Sequence, residues 1–126
     1  MPEMITALAV RKRGGLLVAS HHGLNFFDPA SGRLKMVAEP EAGKPGNRSN
    51  DGAAYRAGRF WLGTMGNNMG PAAEPLPLEG PVGALYRIDP DLSVHLKVSD
   101  VTISNTIYWR ANCKTPSAVR IFVEMR

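Results

Sequence analysis

Two stretches of the chain echo each other. Arg13-Gly14-Gly15-Leu16-Leu17-Val18-Ala19-Ser20 is matched by Ala57-Gly58-Arg59-Phe60-Trp61-Leu62-Gly63-Thr64, with 44 residues from Gly14 to Gly58. Phe27-Asp28-Pro29 is matched by Ile88-Asp89-Pro90, with 61 residues from Asp28 to Asp89. The 17 extra residues fall in one place, the Gly/Pro-rich stretch 66–82. Within a unit the pieces are strand-sized. Residues 5–10, 16–20, 24–27 and 34–37 are separated by Gly14-Gly15, by Gly23, and by Asp28-Pro29 with Ser31-Gly32, which is the pattern of an antiparallel meander. A four-strand unit recurring at about 40–50 residues is the signature of a propeller blade. The pattern predicts an all-β fold, a partial β-propeller of about two and a half blades, ahead of a β-sandwich. The 126 residues make one domain. No segment carries a long helical period. Residues 118–123 read as one more strand after the turn Thr115-Pro116-Ser117.

At 44% hydrophobic and 21% charged, the chain has the balance of a folded globular protein. The net charge of +4 would point to nucleic acid only if the basic residues clustered. The one tight run, Arg11-Lys12-Arg13, meets Gly14-Gly15 at once and reads as a charged turn, so no nucleic-acid partner is expected. Cys113 is the only cysteine, which excludes an intrachain disulfide and a thiolate zinc cluster. The apolar run at 5–10 is too short for the core of a secretion signal, and its positive charges follow it. No stretch approaches the ~20 apolar residues of a membrane span. A cytoplasmic protein with no membrane partner is expected.

Asn47-Arg48-Ser49-Asn50-Asp51-Gly52 is the densest polar run. One reading is a plain turn, because Asp-Gly between strand-like segments signals a hairpin. The other is a binding segment. In an extended chain Arg48 and Asn50 point the same way, and a guanidinium fork with a carboxamide suits the hydroxyls or carbonyl of a sugar-like ligand. Asn105 is either a turn residue or a neutral oxygen ligand for a hard cation. Asn68 opens the inserted loop, and loops at one end of a propeller line its central pocket. His21 and His22, in an extended strand, would face opposite sides and could not chelate one metal; they read as rim residues. Trp61 and Trp109 read as core. Cys113 has no base near it in sequence and is not assigned as a nucleophile. There is no G-x-S-x-G elbow, P-loop, Rossmann fingerprint or zinc-protease helix.

Taken in order, Arg48-Ser49-Asn50-Asp51-Gly52, Gly58-Arg59-Phe60-Trp61-Leu62-Gly63-Thr64-Met65, Gly83-Ala84-Leu85-Tyr86-Arg87-Ile88-Asp89-Pro90, Ile103-Ser104-Asn105 and Trp109 closely resemble the middle of the regucalcin/gluconolactonase family. The likeness covers about 5–109, and 110–126 diverge. It implies a six-bladed propeller of roughly twice this length or more, with one divalent cation (calcium, zinc or manganese) on its axis. It implies hydrolysis of sugar lactones. By this resemblance Asn105 is a metal ligand, Arg48, Asn50 and Asn68 contact substrate, and Asp51 supports the pocket from behind. The cation would act as a Lewis acid on the lactone carbonyl, and a carboxylate would take a proton from the attacking water. Arg48 and Asn50 would hold the sugar and the developing oxyanion.

The family's two carboxylate ligands have no counterpart in this sequence. One is a Glu in an N-terminal Glu-Gly-Pro segment, and Glu79-Gly80-Pro81 has those letters only within the insert. The other is an Asp further along. No catalytic residue is assigned, and one neutral ligand holds a divalent cation poorly. The expectation is a fragment of a metal-dependent sugar-lactone hydrolase, impaired as an isolated chain. The alternatives are a non-enzymatic propeller-derived binding or interaction module, and a partial propeller that self-associates through exposed blade faces.

Overall fold

Phe60-Trp61-Leu62 and Ala84-Leu85-Tyr86 lack polar alternation, and strands of that composition need cover on both faces. The computed structural model describes residues 4–78, 80–109 and 119–123, with the backbone alone for Arg56, 105–109 and 119–123. It places these runs in the middle one of three successive antiparallel sheets. The first sheet is β1 (Ile5–Val10), β2 (Leu16–Ser20), β3 (Leu24–Asp28) and β4 (Arg33–Ala38), paired in chain order. The second is β5 (Asn47–Tyr55), β6 (Arg59–Gly66), β7 (Gly83–Ile88) and β8 (Val94–Val101), again in chain order. The third pairs β9 (Ser104–Trp109) with β10 (Val119–Val123).

Side-chain alternation divides the core. Phe60, Leu62, Ala84, Tyr86 and Ile88 pack toward Ala19, Leu24 and Ala38 of the first sheet. Trp61 and Leu85 face the other way, with Ala53 and Tyr55 against them. β1 lies alongside β5, and β5 alongside β9. The first strands of successive sheets therefore gather together, which is how blades stand around a propeller axis. The predicted partial propeller is what forms, and the expected strands at 5–10, 16–20, 24–27 and 34–37 match β1 to β4 within a residue at each end. The insert lies between the end of β6 and the start of β7, so it lengthens one loop and leaves the sheet intact. Apolar side chains remain exposed on β1, Leu8 and Val10, and on β8, Val94, Leu96 and Val98.

Two expectations change. The hairpin reading of Asp51-Gly52 is wrong: both residues lie inside β5, which runs unbroken past them to Tyr55 against β6. The reversal comes at Arg56–Gly58 instead. His21 and His22 are not in an extended strand. They form the turn between β2 and β3, with ring centroids 4.4 Å apart.

The connection from β4 to β5 carries a buried carboxylate. Glu41 accepts hydrogen bonds from Tyr86 Oη (2.9 Å) and Asn47 Nδ2 (3.2 Å), with Lys44 Nζ at 3.5 Å, and its side chain is 8% exposed. Burial, and then Glu41, push the Tyr86 phenol above its ordinary value of 10.0. Folding thus favours the neutral phenol. That contribution is complete below about pH 10 and is lost as pH rises through the raised folded-state value. Tyr86→Phe is expected to cost ~1 kcal/mol near neutrality by losing one hydrogen bond, and to flatten the fall in stability above about pH 10. Urea unfolding in neutral and alkaline buffer reads both effects, and an unchanged alkaline fall would count against them.

Candidate functional site

The site is built on an irregularity in β5. Ser49 pairs with Thr64 and Asp51 with Gly63, so Asn50 is an extra residue against β6. A β-bulge of this kind bends the strand and re-aims the side chains around it. Arg48 Nη1 donates to the Ser49 carbonyl (3.0 Å) and to Asn50 Oδ1 (3.1 Å). Arg48 Nη2 donates to Asn68 Oδ1 at 3.0 Å. Asn50 Nδ2 donates to the Ser104 carbonyl at 2.8 Å. Arg48, Asn50 and Asn68, the expected substrate contacts, thus form one hydrogen-bonded cluster that joins β5, the loop after β6 and the start of β9.

The loop is ordered by its own bonds. Leu76 N–H donates to the Asn68 carbonyl (2.7 Å), and Met69 bridges Pro75. Its two ends are held by neighbouring residues: Asn67 N–H donates to the Gly46 carbonyl (2.8 Å), and Asn47 Nδ2 to the Val82 carbonyl (2.9 Å). On the opposite side β9 seats against β6. Ser104 is fully buried and its Oγ donates to the Thr64 carbonyl at 3.2 Å. Gly63 makes that seat, because a Cβ there would overlap the Ser104 side chain. Neither Gly63 nor Ser104 was singled out from the sequence, although both lie in the recognised segments Leu62-Gly63-Thr64 and Ile103-Ser104-Asn105.

Arg48 is 8% exposed, and burial pushes its guanidinium below its ordinary value. Its Nε is buried with no hydrogen-bond partner. Arg48 also borders a cavity of about 110 Å³ between the first two sheets, lined by His21, His22, Glu41 and Thr64 among others. Glu41 was not read from the sequence, since a Glu in a Pro-rich connection carries no local signal of burial. Asp51 Oδ1 accepts the Gly52 N–H at 2.8 Å, next along the strand from the bulge.

The backbone of Asn105 is second in β9, but its side chain lies outside the described residues, as do all of Cys113 and Glu79 and the side chain of Trp109. Among the described residues no group of three or more His, Cys, Asp or Glu could hold a metal ion. Amides and a guanidinium are what the cluster offers; the Asn50 and Asn68 amide oxygens already accept from Arg48, and neutral oxygens beside a guanidinium hold a divalent cation poorly without carboxylates. The cluster's donors fit a hydroxylated, electron-rich ligand.

Comparison with known proteins identifies relatives of this chain and of its fold. Regucalcin of Xenopus laevis is 33% identical over 111 residues, covering 88% of this chain and 36% of that protein. The 6-deoxy-6-sulfogluconolactonase of Pseudomonas putida is 31% identical over 126 residues, covering 94% of this chain and 40% of that protein. The crystal structure of a calcium-binding regucalcin from Agrobacterium tumefaciens superposes with a TM-score of 0.73 at 36% identity, covering 86% of this chain and 34% of that one. The chain spans well under half the length of these relatives. Its residues 1–116 match the SMP-30/Gluconolactonase/LRE-like region, and with the blade arrangement and the recognised segments in order, the chain belongs to that family.

Proposed function

We propose that this chain carries the sugar-binding part of a lactone-hydrolase pocket and that hydrolysis is impaired when the chain stands alone. The observation that carries this reading is the Arg48–Asn50–Asn68 cluster, which three separate parts of the fold combine to make. Its groups are suited to holding ring hydroxyls and polarising a carbonyl. They do not take a proton from water, a step that calls for a base such as a carboxylate. A divalent cation, with Asn105 as one ligand, would supply Lewis acidity to the carbonyl, and its charged ligands would have to come from outside the described residues. Asp51 is assigned a supporting role behind the pocket through its place beside the bulge.

The test is hydrolysis of gluconolactone, followed by acid release, with calcium, zinc or manganese added in turn. Turnover is expected to stay near the spontaneous rate. Robust metal-dependent turnover that Asn105→Ala abolishes would overturn the impairment. The exposed apolar rows on β1 and β8 favour a second reading, association of copies through their sheet faces. Light scattering on the same preparation separates the two, because a discrete ring of copies supports association and a monomer does not.

A further inference from the structure

A cavity of about 470 Å³ opens between the first two sheets where β1 and β5 finish, at the other end of β5 from Arg48. Register sets its walls, because directly paired residues put their side chains on one face of a sheet. Ala9 pairs with Leu17 and Leu17 with Phe26, which makes a wall on the first sheet. Ala54 pairs with Phe60 and Phe60 with Ile88, which makes the facing wall on the second. All six line the cavity. The second wall runs on to the outer strand, where Val94 pairs with Ile88 and stays 39% exposed. The rim is cationic. The β1–β2 turn is closed by Arg11 N–H on the Gly15 carbonyl and Gly14 N–H on the Arg11 carbonyl, each at 3.1 Å. It brings Arg11, Lys12 and Arg13 to the cavity, and Arg59 comes from the opposite sheet. Arg11 Cζ lies 3.6 Å from the centroid of the Phe26 ring, so a guanidinium meets the apolar wall directly. Among the described residues no ion pair uses Arg11, Lys12 or Arg13. Asp89 is the one acidic residue described on the lining, and it is engaged. Arg87 donates to both its oxygens at 2.8 and 3.1 Å, with His95 Nε2 at 3.1 Å and Arg59 Nε at 3.7 Å.

An apolar trough with a cationic mouth is complementary to an anion carried on an apolar body. We propose that this groove binds a single-chain amphiphilic carboxylate of the fatty-acid class, with its chain between the sheets and its head among Arg11, Lys12, Arg13 and Arg59. The volume falls within the ~300–1,000 Å³ of ligand pockets. The head gains charge-assisted hydrogen bonds, and each buried methylene tightens binding about fourfold. The walls are sheet faces whose backbone groups already bond along the ladders. A peptide would find no partner there for its own backbone, whereas an alkyl chain needs none. A bilayer surface is flat, while Phe60 and Ile88, each 2% exposed, lie recessed between the sheets. The groove shares no residue with Arg48, Asn50 or Asn68, so the inference stands apart from the sugar reading.

Titration calorimetry of the full 126-residue chain with sodium decanoate, kept below its micelle concentration, is the test. Saturable binding at one site is expected, and added salt should weaken it. Butyrate keeps the head and loses most of the chain, and should bind at least about a hundredfold more weakly. Decyltrimethylammonium keeps the chain and reverses the charge, and should bind at least about tenfold more weakly. Lys12→Gln with Arg13→Gln, both at exposed turn positions, should weaken decanoate at least about threefold. Ala54→Leu, at an exposed position on the wall, fills the groove and should weaken decanoate at least about tenfold. If that variant does not fold by circular dichroism, the turn variant and the comparison of heads still decide. No saturable decanoate binding, equal affinity for the two decyl ligands, or decanoate binding unchanged in either folded variant would overturn the inference. Retention of phosphatidylglycerol vesicles or of polyglutamate by a chain that leaves decanoate unbound would also overturn it, and would assign the basic rim to a membrane surface or to an acidic segment.

Discussion

Gly83→Ala is expected to destabilise the chain by about 3 kcal/mol, a fall of about 10 °C in Tm for a domain of this size. Gly83 opens β7 and sits between the backbones on either side of it. A Cβ there would overlap the Thr64 carbonyl of β6 and lie 2.8 Å from the Val101 carbonyl of β8. Side-chain tips can swing away from such a contact, but these are ladder groups of the central sheet. To relieve it, β6 and β8 must part at the end where Ala84 N–H is held by Thr64 Oγ1 at 2.9 Å. Relaxation would also disturb Thr64, whose carbonyl receives Ser104. Circular-dichroism melts give the measurement. A variant melting within about 2 °C of the unaltered chain would mean that the strands separate easily, which the close packing of a protein core argues against.

The second large effect couples packing to the site. Gly63→Ala is expected to cost about 2–3 kcal/mol, because its Cβ meets the Ser104 side chain rather than open space. Ser104→Gly removes that side chain and leaves the backbone carbonyl that Asn50 uses. The double variant should therefore be more stable than Gly63→Ala alone, with a coupling of at least about 1 kcal/mol in a double-mutant cycle. Simple addition of the two losses would show that β9 does not rest on β6 through this contact. On the proposed reading of the Arg48–Asn50–Asn68 cluster as a sugar site, Gly63→Ala should also weaken sugar binding, since the Ser104 carbonyl is the point to which Asn50 is tied.

Much of the fold was legible in the sequence because blades repeat. Short apolar runs between Gly, Pro and Asp turns define strands almost without reference to the rest of the chain, and β1 to β4 follow them closely. The signal misled at Asp51-Gly52. A turn dipeptide is a local preference, and pairing of Gly52 with Leu62 and Ala53 with Trp61 along β6 overrides it. The cluster was legible in part. The two-residue spacing of Arg48 and Asn50 was correctly read as placing both side chains together, yet no local pattern announces the bulge at Asn50. Nor can it announce that Asn68, 18 residues further on, arrives at the same guanidinium. Glu41 and Ser104 were missed for a related reason. Their burial depends on partners 45 and 40 residues away, Tyr86 and Thr64, and composition around them carries no trace of that.

The insert between β6 and β7 is tied at both ends by Gly46 and Asn47, one residue apart on a neighbouring segment. Its span is thus fixed independently of its contents, and closing a longer loop across a fixed span costs little extra. The segment behaves as an exchangeable cassette. Relatives could trade its interior for longer or shorter versions and so retune what the pocket accepts, while the clamp at Gly46-Asn47 keeps strand register untouched. Divergence of ligand preference would then accumulate in this one cassette, decoupled from the demands of blade packing.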